Sequence, residues 1–266
     1  MVVLVMTGGG AKAFVHLGVY HVLKENGIKV DHIVSTSSGS LMAVLVASGV
    51  SFDKIKKEFF SLRRRVSWLL PSLSEFGFIS KKPLVKVISN LVKQKRIEDL
   101  PIPVTLVASN ITKINDHIIK KGDIIKSVCA TSAYPLLYKP VNYNGDLLID
   151  GGILNSEPAD IAKEIGKGKV ITVSLTSPFD KKSGSLKNRM EIVYRSLFYY
   201  SEMSRRENAD KYSDLIIYPL KHKWYCLNTW KGIFEFYNKK AMIEYYELGR
   251  KEALANLDKI KALTTE

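Results

Sequence analysis

The chain has 266 residues, of which 46% are apolar and 25% charged, a balance that excludes an intrinsically disordered protein. No apolar run reaches the roughly 18 residues of a membrane-spanning helix, and the net charge of +14 favours anionic partners. The two cysteines form no CxxC pair, and no nucleic-acid-binding signature is present. We therefore expect no metal, no cofactor and no nucleic-acid partner.

The first fifty residues alternate between short apolar runs and helical periodicity. Val2–Met6 is rich in β-branched residues and predicts a buried strand. We do not expect a signal peptide, because this run has neither a basic leader nor a cleavage site. Apolar residues at helical spacing follow over 11–26 and end at Gly27, a typical residue after a helix. A second strand over 29–34 and a buried helix over 41–47 repeat the pattern. This order predicts parallel strands with helices on the sheet faces.

The middle of the chain continues the alternation less regularly. Asn144-Gly145 lies between two apolar runs and predicts a tight hairpin turn within 141–149. Further strands are expected over 103–109, 116–120 and 169–175, and helices over 52–62, 83–92, 124–133 and 157–165.

The last third begins with a polar segment at 176–185, which is the best linker candidate. A long amphipathic helix, one more strand and a C-terminal helix are expected over 186–212, 215–218 and 241–263. Because the late strand would complete the sheet, we expect one domain over 1–266. Its core would cover about 1–176, and a helical elaboration with the last strand would cover about 186–266.

A glycine run, Gly8-Gly9-Gly10, follows the first predicted strand and opens the motif G-x-G-x-x-[GA]. Such a loop binds dinucleotide pyrophosphate through backbone N–H groups, but that function also needs an acidic residue at the end of the second strand. Asp31 falls too early in that strand. A tight turn without a ligand is a second possibility. We favour a third, in which the exposed N–H groups bind an oxyanion formed during a reaction.

A serine-rich stretch, Ser35-Thr36-Ser37-Ser38-Gly39, follows the second predicted strand and precedes a helix. A nucleophile elbow has this context, with small residues two positions before and after the serine. Ser37 is therefore the candidate nucleophile, and the amide of Ser38 could donate to an oxyanion. Serines also cap helices, so Ser35 or Ser37 could instead be the N-cap. The stretch alone leaves capping and catalysis open.

Asp150 ends an apolar strand and is followed by Gly151-Gly152. That edge of an open α/β sheet is where ligands bind, although the aspartate could also only stabilise a loop. A serine nucleophile needs a base, which is histidine in a triad. The five histidines fall in predicted helices, strands or a basic stretch. The sequence therefore predicts a dyad in which Asp150 activates Ser37 directly.

Together and in this order, these segments resemble the patatin-like phospholipase family. That family has a glycine-rich oxyanion loop, a G-x-S-x-G elbow and a D-G-[AG] motif. Gly8–Ala13, Ser35–Gly39 and Asp150–Gly152 match these three motifs. A fourth likeness is Ala130–Pro135, which is similar to the family's A-x-x-A-x-P segment. The resemblance extends over nearly the whole chain.

The resemblance implies a three-layer α/β/α fold with a mostly parallel central sheet, and lipid acyl hydrolysis without a cofactor. Ser37 would attack the ester carbonyl and Asp150 would take its proton. Backbone amides of Gly9, Gly10 and Ser38 would hold the oxyanion, with Gly8 in the same loop. Lys12 would stabilise the glycine loop or the negative charge of the acyl site. The alternative is a non-catalytic lipid-binding or scaffold protein of the same fold.

Two residues depart from the family's motifs. Ser35 replaces the first glycine of the elbow, while Gly39 retains the second, and Ala13 replaces the last glycine of the loop. A Cβ atom at residue 35 would cost about 1 kcal/mol if the backbone φ there were positive. We expect reduced tolerance rather than loss of activity.

Two stretches combine basic and aromatic residues, as anionic lipid surfaces require. The first lies at 63–71 and overlaps a hypothetical lid over 64–80, and the second lies at 221–225. Core aromatics beside solvated lysines would give the same pattern. We expect a cytoplasmic protein, with peripheral contact at the anionic inner membrane surface as an option, acting on lipid or phospholipid esters.

Overall fold

The computed structural model of the chain describes residues 1–63, 80–166, 168–175, 208–220 and 238–265, with a few single positions between 189 and 236. The hypothetical lid over 64–80, except for Ser80, and the basic aromatic stretch at 221–225 lie outside these residues. The predicted helix over 186–212 is described mainly at its end, where 208–212 is helical.

The described strands form one eight-stranded sheet of mixed direction. β1 lies inside the sheet between β2 and β7, and these strands run parallel, as do β2 with β3 and β7 with β8. β4 and β6 pair antiparallel with β3, and β5 pairs antiparallel with β6. The strands are β1 Val2–Met6, β2 His32–Thr36, β3 Val104–Asn110, β4 Asn115–Ile119, β5 Val141–Tyr143, β6 Asp146–Asp150, β7 Lys169–Val173 and β8 Leu215–Ile217.

Helices cover both faces of the sheet, because the inner strands are buried on both sides. Alternate residues of β1 point to opposite faces. Leu4 and Met6 join the larger core with most of the helices, while Val3 and Val5 pack in a smaller core with α6. The helices are α1 Phe14–Glu25, α2 Ser37–Ala47, α3 Phe52–Arg63, α4 Lys82–Leu91, α5 Ile124–Thr131, α6 Ala159–Ile165, α7 Lys239–Ala255 and α8 Leu257–Thr265. The expected α/β fold with a largely parallel centre and flanking helices is confirmed.

Helices α1 and α7 pack with their backbones in contact. A Cβ atom on Gly18 would overlap the carbonyl oxygen of Tyr246, and one on Gly249 would overlap that of Val15. Only glycine permits this approach from both sides. The C-terminal helix is thereby joined closely to the helix that follows the glycine loop.

Within the described ranges the predicted strands and helices are present, but several boundaries were wrong. The second helix begins at Ser37 rather than Leu41, and the C-terminal helix is divided between α7 and α8 at Asn256. The hairpin turn is confirmed, since Asn144 and Gly145 have φ values of 54° and 93°. Among the described helices, none has the length and apolar character that crossing a bilayer requires.

Candidate active site

The sheet brings Ser37 and Asp150 together, although 113 residues separate them. Strands β2 and β6 both pair with the same side of β3, one after the other along its length. Thr36 of β2 is opposite Val107, and Asp150 of β6 is opposite the next residue, Ala108. β2 runs parallel to β3 and β6 runs antiparallel, so their carboxyl ends meet. Ser37 Oγ consequently donates a hydrogen bond of 2.6 Å to Asp150 Oδ2.

Ser37 lies at a sharp turn between β2 and α2. Its φ of 53° is in the left-handed region, which costs a non-glycine residue about 1–3 kcal/mol unless its surroundings enforce it. Gly39 makes the turn possible, because a Cβ atom there would overlap the backbone of Met6. The strained turn directs the Ser37 side chain away from the helix and towards Asp150.

Helix capping, the alternative role for these serines, is not what the structure shows. The N-cap of α2 is Thr36, and its side chain makes no capping hydrogen bond. Ser37 Oγ donates to Asp150, and Ser35 Oγ donates to Ser40 Oγ at 3.3 Å.

Asp150 is buried and its carboxylate is oriented. Its Oδ1 accepts a hydrogen bond of 2.8 Å from the amide of Gly152, which leaves Oδ2 directed at Ser37. Its own amide donates to Ala133 O at 3.0 Å. Gly151 allows the chain to pass close to β3, since a Cβ atom there would overlap Val107 O. One carboxylate oxygen is thus anchored and the other is available to accept a proton.

The described histidines have other partners. His16 contacts Thr7 O, His21 contacts Tyr246, His32 contacts Thr105, and His117 packs against the ring of Tyr143. His222 lies outside the described residues. Within the described part of the chain, no group of three or more His, Cys, Asp or Glu residues could hold a metal ion.

The glycine loop packs directly against the elbow. A Cβ atom on Gly8 would lie 2.6 Å from Ser37 Cβ, so only glycine leaves room for the serine. The amide of Gly9 donates to Ser38 Oγ at 3.1 Å, and Gly10 has a φ of 63°. The loop therefore lies against Ser37, and the amide of Gly9 is bonded to the neighbouring Ser38 hydroxyl.

Three hydrogen bonds of Thr7 hold this loop in place. Thr7 Oγ1 donates to Val173 O at 3.1 Å and accepts from the amide of Leu175 at 3.2 Å. His16 is fully buried, and its Nε2 lies 2.8 Å from Thr7 O, which assigns the proton to Nε2. The half-buried Lys12 lies in the short 3-10 turn Gly10–Ala13 that leads into α1.

The two departures from the family's motifs fit the backbone. Ser35 is a strand residue opposite Met6 and is not among the residues with positive φ, so its Cβ atom carries no such cost. Ala13 has a φ of −58°, which suits any L-residue. The positive φ of the elbow belongs to Ser37 instead.

Two hydroxyl residues at the C-terminal end of α5, Thr131 and Ser132, belong to the motif Ala130–Pro135, but the sequence did not predict their role. Thr131 Oγ1 accepts a hydrogen bond of 3.0 Å from the amide of Ser37 and itself donates to Val107 O. Ser132 Oγ donates to Ser37 O at 3.0 Å. These bonds hold the backbone of the strained residue on both sides. Their position beside the proline-containing segment was the available signal.

Lys81 was also missed, because it stands outside every motif. Its ammonium group donates to Cys129 O at 2.8 Å and to Lys139 O at 3.3 Å, and it lies 5.5 Å from the ring centroid of Tyr138. Burial lowers the pKa of Lys81 to about 8, while Cys129 and Asp150 act in the opposite direction. Lys81 joins the start of α4 to the segment that precedes Asp150.

His16 should make the protein sensitive to acid. Burial lowers its pKa from 6.5 to about 4, although the hydrogen bond to Thr7 raises it. Between these values the unfolded chain binds more protons than the folded one, so stability is lost as the pH falls through this window. We expect this histidine to contribute a loss of about 2 kcal/mol in the free energy of unfolding between pH 7.5 and 5.

Urea denaturation at both pH values, on the wild type and on His16→Gln, measures this contribution. The variant should be less stable at pH 7.5 but should lose less stability on acidification. Equal losses in the two proteins would contradict the assignment.

Comparison with known proteins places these motifs in a family. A model described as patatin-like phospholipase matches residues 4–163. The human patatin-like phospholipase domain-containing protein 6 is 31% identical over 185 residues, which cover 66% of this chain and 13% of that protein. An uncharacterized NTE family protein of Mycobacterium bovis is 30% identical over 176 residues, 65% of this chain and 49% of that protein. The chain thus spans half or less of these relatives.

Among solved structures, VipD from Legionella pneumophila shares the fold. The match has a TM-score of 0.53 and 13% sequence identity, and it covers 97% of this chain and 66% of that one.

Proposed function

Since this chain belongs to the patatin-like phospholipase family, we propose that it is a serine acyl hydrolase that cleaves carboxylic ester bonds of lipids, with Ser37 as nucleophile and Asp150 as base. The observation that carries the proposal is the 2.6 Å hydrogen bond from Ser37 Oγ to Asp150 Oδ2 at a backbone turn with positive φ. A serine held in this way is aligned for proton transfer to the carboxylate.

In the first step, Asp150 Oδ2 takes the hydroxyl proton while Ser37 Oγ attacks the ester carbonyl carbon. The carbonyl π electrons move onto oxygen and form an oxyanion. When the tetrahedral intermediate collapses, the bond to the alcohol oxygen breaks and that oxygen takes the proton from Asp150. Water then attacks the acyl-Ser37 ester with Asp150 again as base, which releases the fatty acid and restores the serine.

Backbone amides supply the stabilisation of the oxyanion. The amides of Gly10 and Ser38 lie in the turns on either side of the nucleophile, Gly10 at the start of the 3-10 turn and Ser38 in the first turn of α2. The amide of Gly9 donates to Ser38 Oγ at 3.1 Å, so rotation of that hydroxyl releases a third donor for the oxyanion. Donors that are already oriented cost little reorganisation during the reaction.

The dyad needs no histidine, because Asp150 is oriented by Gly152 and its accepting oxygen already contacts Ser37. Lys81 lies close enough to Asp150 to act on it electrostatically.

Labelling with a fluorophosphonate, followed by peptide mass spectrometry, tests the proposal. We expect the label on Ser37 of the native protein and not of the urea-unfolded protein, together with release of p-nitrophenol from a medium-chain ester. The acyl-enzyme mechanism would be refuted by turnover without labelling of Ser37. A protein that is not labelled at Ser37 and hydrolyses no ester would instead indicate a non-catalytic lipid-binding or scaffold protein.

A further inference from the structure

The β3–β4 and β5–β6 hairpins extend past the candidate active site. Ala108 of β3 is level with Asp150, and Ile111 lies three residues further along, about 10 Å beyond it. β6 runs in the opposite direction, and the amide of Ile111 donates to Leu147 O at 3.0 Å. Both hairpins therefore project on the same edge of the sheet as Ser37 and Asp150.

Three aliphatic side chains cover this projection, and we name them the hairpin tip: Ile111, Ile114 and Leu147. Their exposed fractions are 46%, 82% and 42%. Ile111 and Leu147 continue the β3–β6 register, so they are cross-strand neighbours on one face. Ile114 closes the turn between β3 and β4. The tip is a small apolar surface beside the candidate active site.

The backbone of Ile114 indicates that this side chain serves a purpose. Its φ is 55°, which is an outlier for a β-branched residue and costs roughly 1–2 kcal/mol. Asparagine accepts this conformation far better, and the neighbouring hairpin does use Asn144 at a φ of 54°. Because Ile114 is 82% exposed, it buries little apolar surface in the fold that could offset this strain. Such an outlier supports a hypothesis of function.

The hairpin tip is also held in one conformation. Asn110 Oδ1 accepts from the amides of Thr112 and Lys113 at 2.9 and 3.1 Å, and Asn110 O accepts from the amide of Ile114 at 2.8 Å. Lys113 Nζ forms an ion pair of 2.8 Å with Asp146 of the other hairpin. The two hairpins are thus tied together, and the tip presents its side chains without a cost of ordering.

We propose that the hairpin tip docks the protein on a phospholipid surface by inserting its three aliphatic side chains into the interface. This docking rests on the proposed acyl hydrolase function and would bring the active site close to the lipids that contain its ester substrate. The bound surface would lie on the same edge of the sheet as the ester-cleaving serine.

The size and charge of the region favour a lipid surface over a protein partner. A stable protein interface buries about 800 Å² per partner, of which three aliphatic side chains supply only a fraction. A bilayer needs no matching shape and accepts a few apolar side chains beside cations. The side chain of Lys113 remains 62% exposed next to the tip, and the net charge of +14 favours an anionic membrane.

Partitioning onto vesicles tests the proposal without relying on catalysis. We would use the 266-residue Ser37→Ala protein and large unilamellar vesicles of phosphatidylcholine with phosphatidylglycerol. Adding Ile111→Ser and Ile114→Ser should weaken partitioning at least about tenfold. Ile118→Ser is the matched control, since Ile118 is 42% exposed on the same hairpin but is set back opposite Val107. It should leave partitioning within about twofold.

Ile114→Asn separates docking from folding. Asparagine relieves the backbone strain, so the melting temperature should stay the same or rise, while partitioning should fall. Hydrolysis of a water-soluble ester by the same variant with Ser37 intact should not change, and hydrolysis of vesicle lipid should decrease.

Unchanged partitioning of the Ile111→Ser, Ile114→Ser protein would overturn the proposal, and so would an equal loss in Ile118→Ser. A dimer that these changes convert to monomer, with vesicle binding retained, would also overturn it in favour of a second copy. Because binding is measured without the nucleophile, none of these outcomes depends on whether Ser37 is catalytic.

Discussion

Ser37→Ala should reduce kcat/KM for ester hydrolysis by about 10³- to 10⁶-fold, because it removes the atom that forms the acyl intermediate. Asp150→Asn should cause a loss of similar order. The amide can still accept the hydrogen bond that Gly152 donates to Oδ1, but it cannot take the proton of Ser37. Both variants should fold, since neither change creates a steric overlap.

The two residues act as one unit, so the double variant should be hardly less active than either single variant. Two matched controls are available in the same elements. Asp146→Asn alters an aspartate of β6 that pairs with Lys113, and Ser48→Ala alters a serine at the end of α2 that donates to Val44 O. Release of p-nitrophenol measures the activity of the wild type and of these five variants. Activity within tenfold of the wild type in Ser37→Ala or Asp150→Asn would rule out the dyad.

Gly8→Ala should cost about 100-fold in kcat/KM with the fold retained. The added methyl group would lie 2.6 Å from Ser37 Cβ and 3.2 Å from Ser37 Oγ, so either the loop or the serine must shift. A displacement of about 1 Å at the reacting group can cost a hundredfold in rate. The loss should fall mainly on kcat, since the change moves the nucleophile and its oxyanion donors and adds no group that binds substrate.

Gly27→Ala is the control for this substitution. Gly27 has a φ of 72° and nothing lies within 4 Å of an added Cβ atom, so alanine there should lower stability by about 1 kcal/mol and leave turnover unchanged. Circular dichroism melting and initial rates on both variants distinguish the two effects. Wild-type rates in Gly8→Ala would show that the loop does not pack against the nucleophile in solution.

Local patterns were enough to predict much of this protein. The strand-forming run Val2–Met6, the glycine loop after it and the small residues around Ser37 are each contiguous, and contiguous segments obey local rules of turn and helix formation. Their combination with Asp150-Gly151-Gly152 identified the family. The same rules placed the hairpin turn at Asn144-Gly145, where both residues have positive φ.

Other questions could not be answered from local patterns. Whether Ser37 caps a helix was undecided, because a cap and an elbow serine both precede a helix; the structure shows Thr36 at the cap. The segment Ala130–Pro135 marked Thr131 and Ser132 as part of a motif, but it did not show that they bond to the backbone of Ser37. No motif contained Lys81, whose electrostatic interaction with Asp150 depends on the tertiary structure. The positive φ of Ile114 was equally unpredictable, since its residue type disfavours that conformation.

By itself, then, the sequence determined the identity of the chemical groups and the order of the elements that carry them. Only the tertiary structure decided which of these groups lie in contact. Residues 37 and 150 come together because β2 and β6, which run in opposite directions, both end against the same side of β3. Strand pairing of this kind is set by the packing of the whole sheet. For that reason a 2.6 Å contact across 113 residues has no local signature.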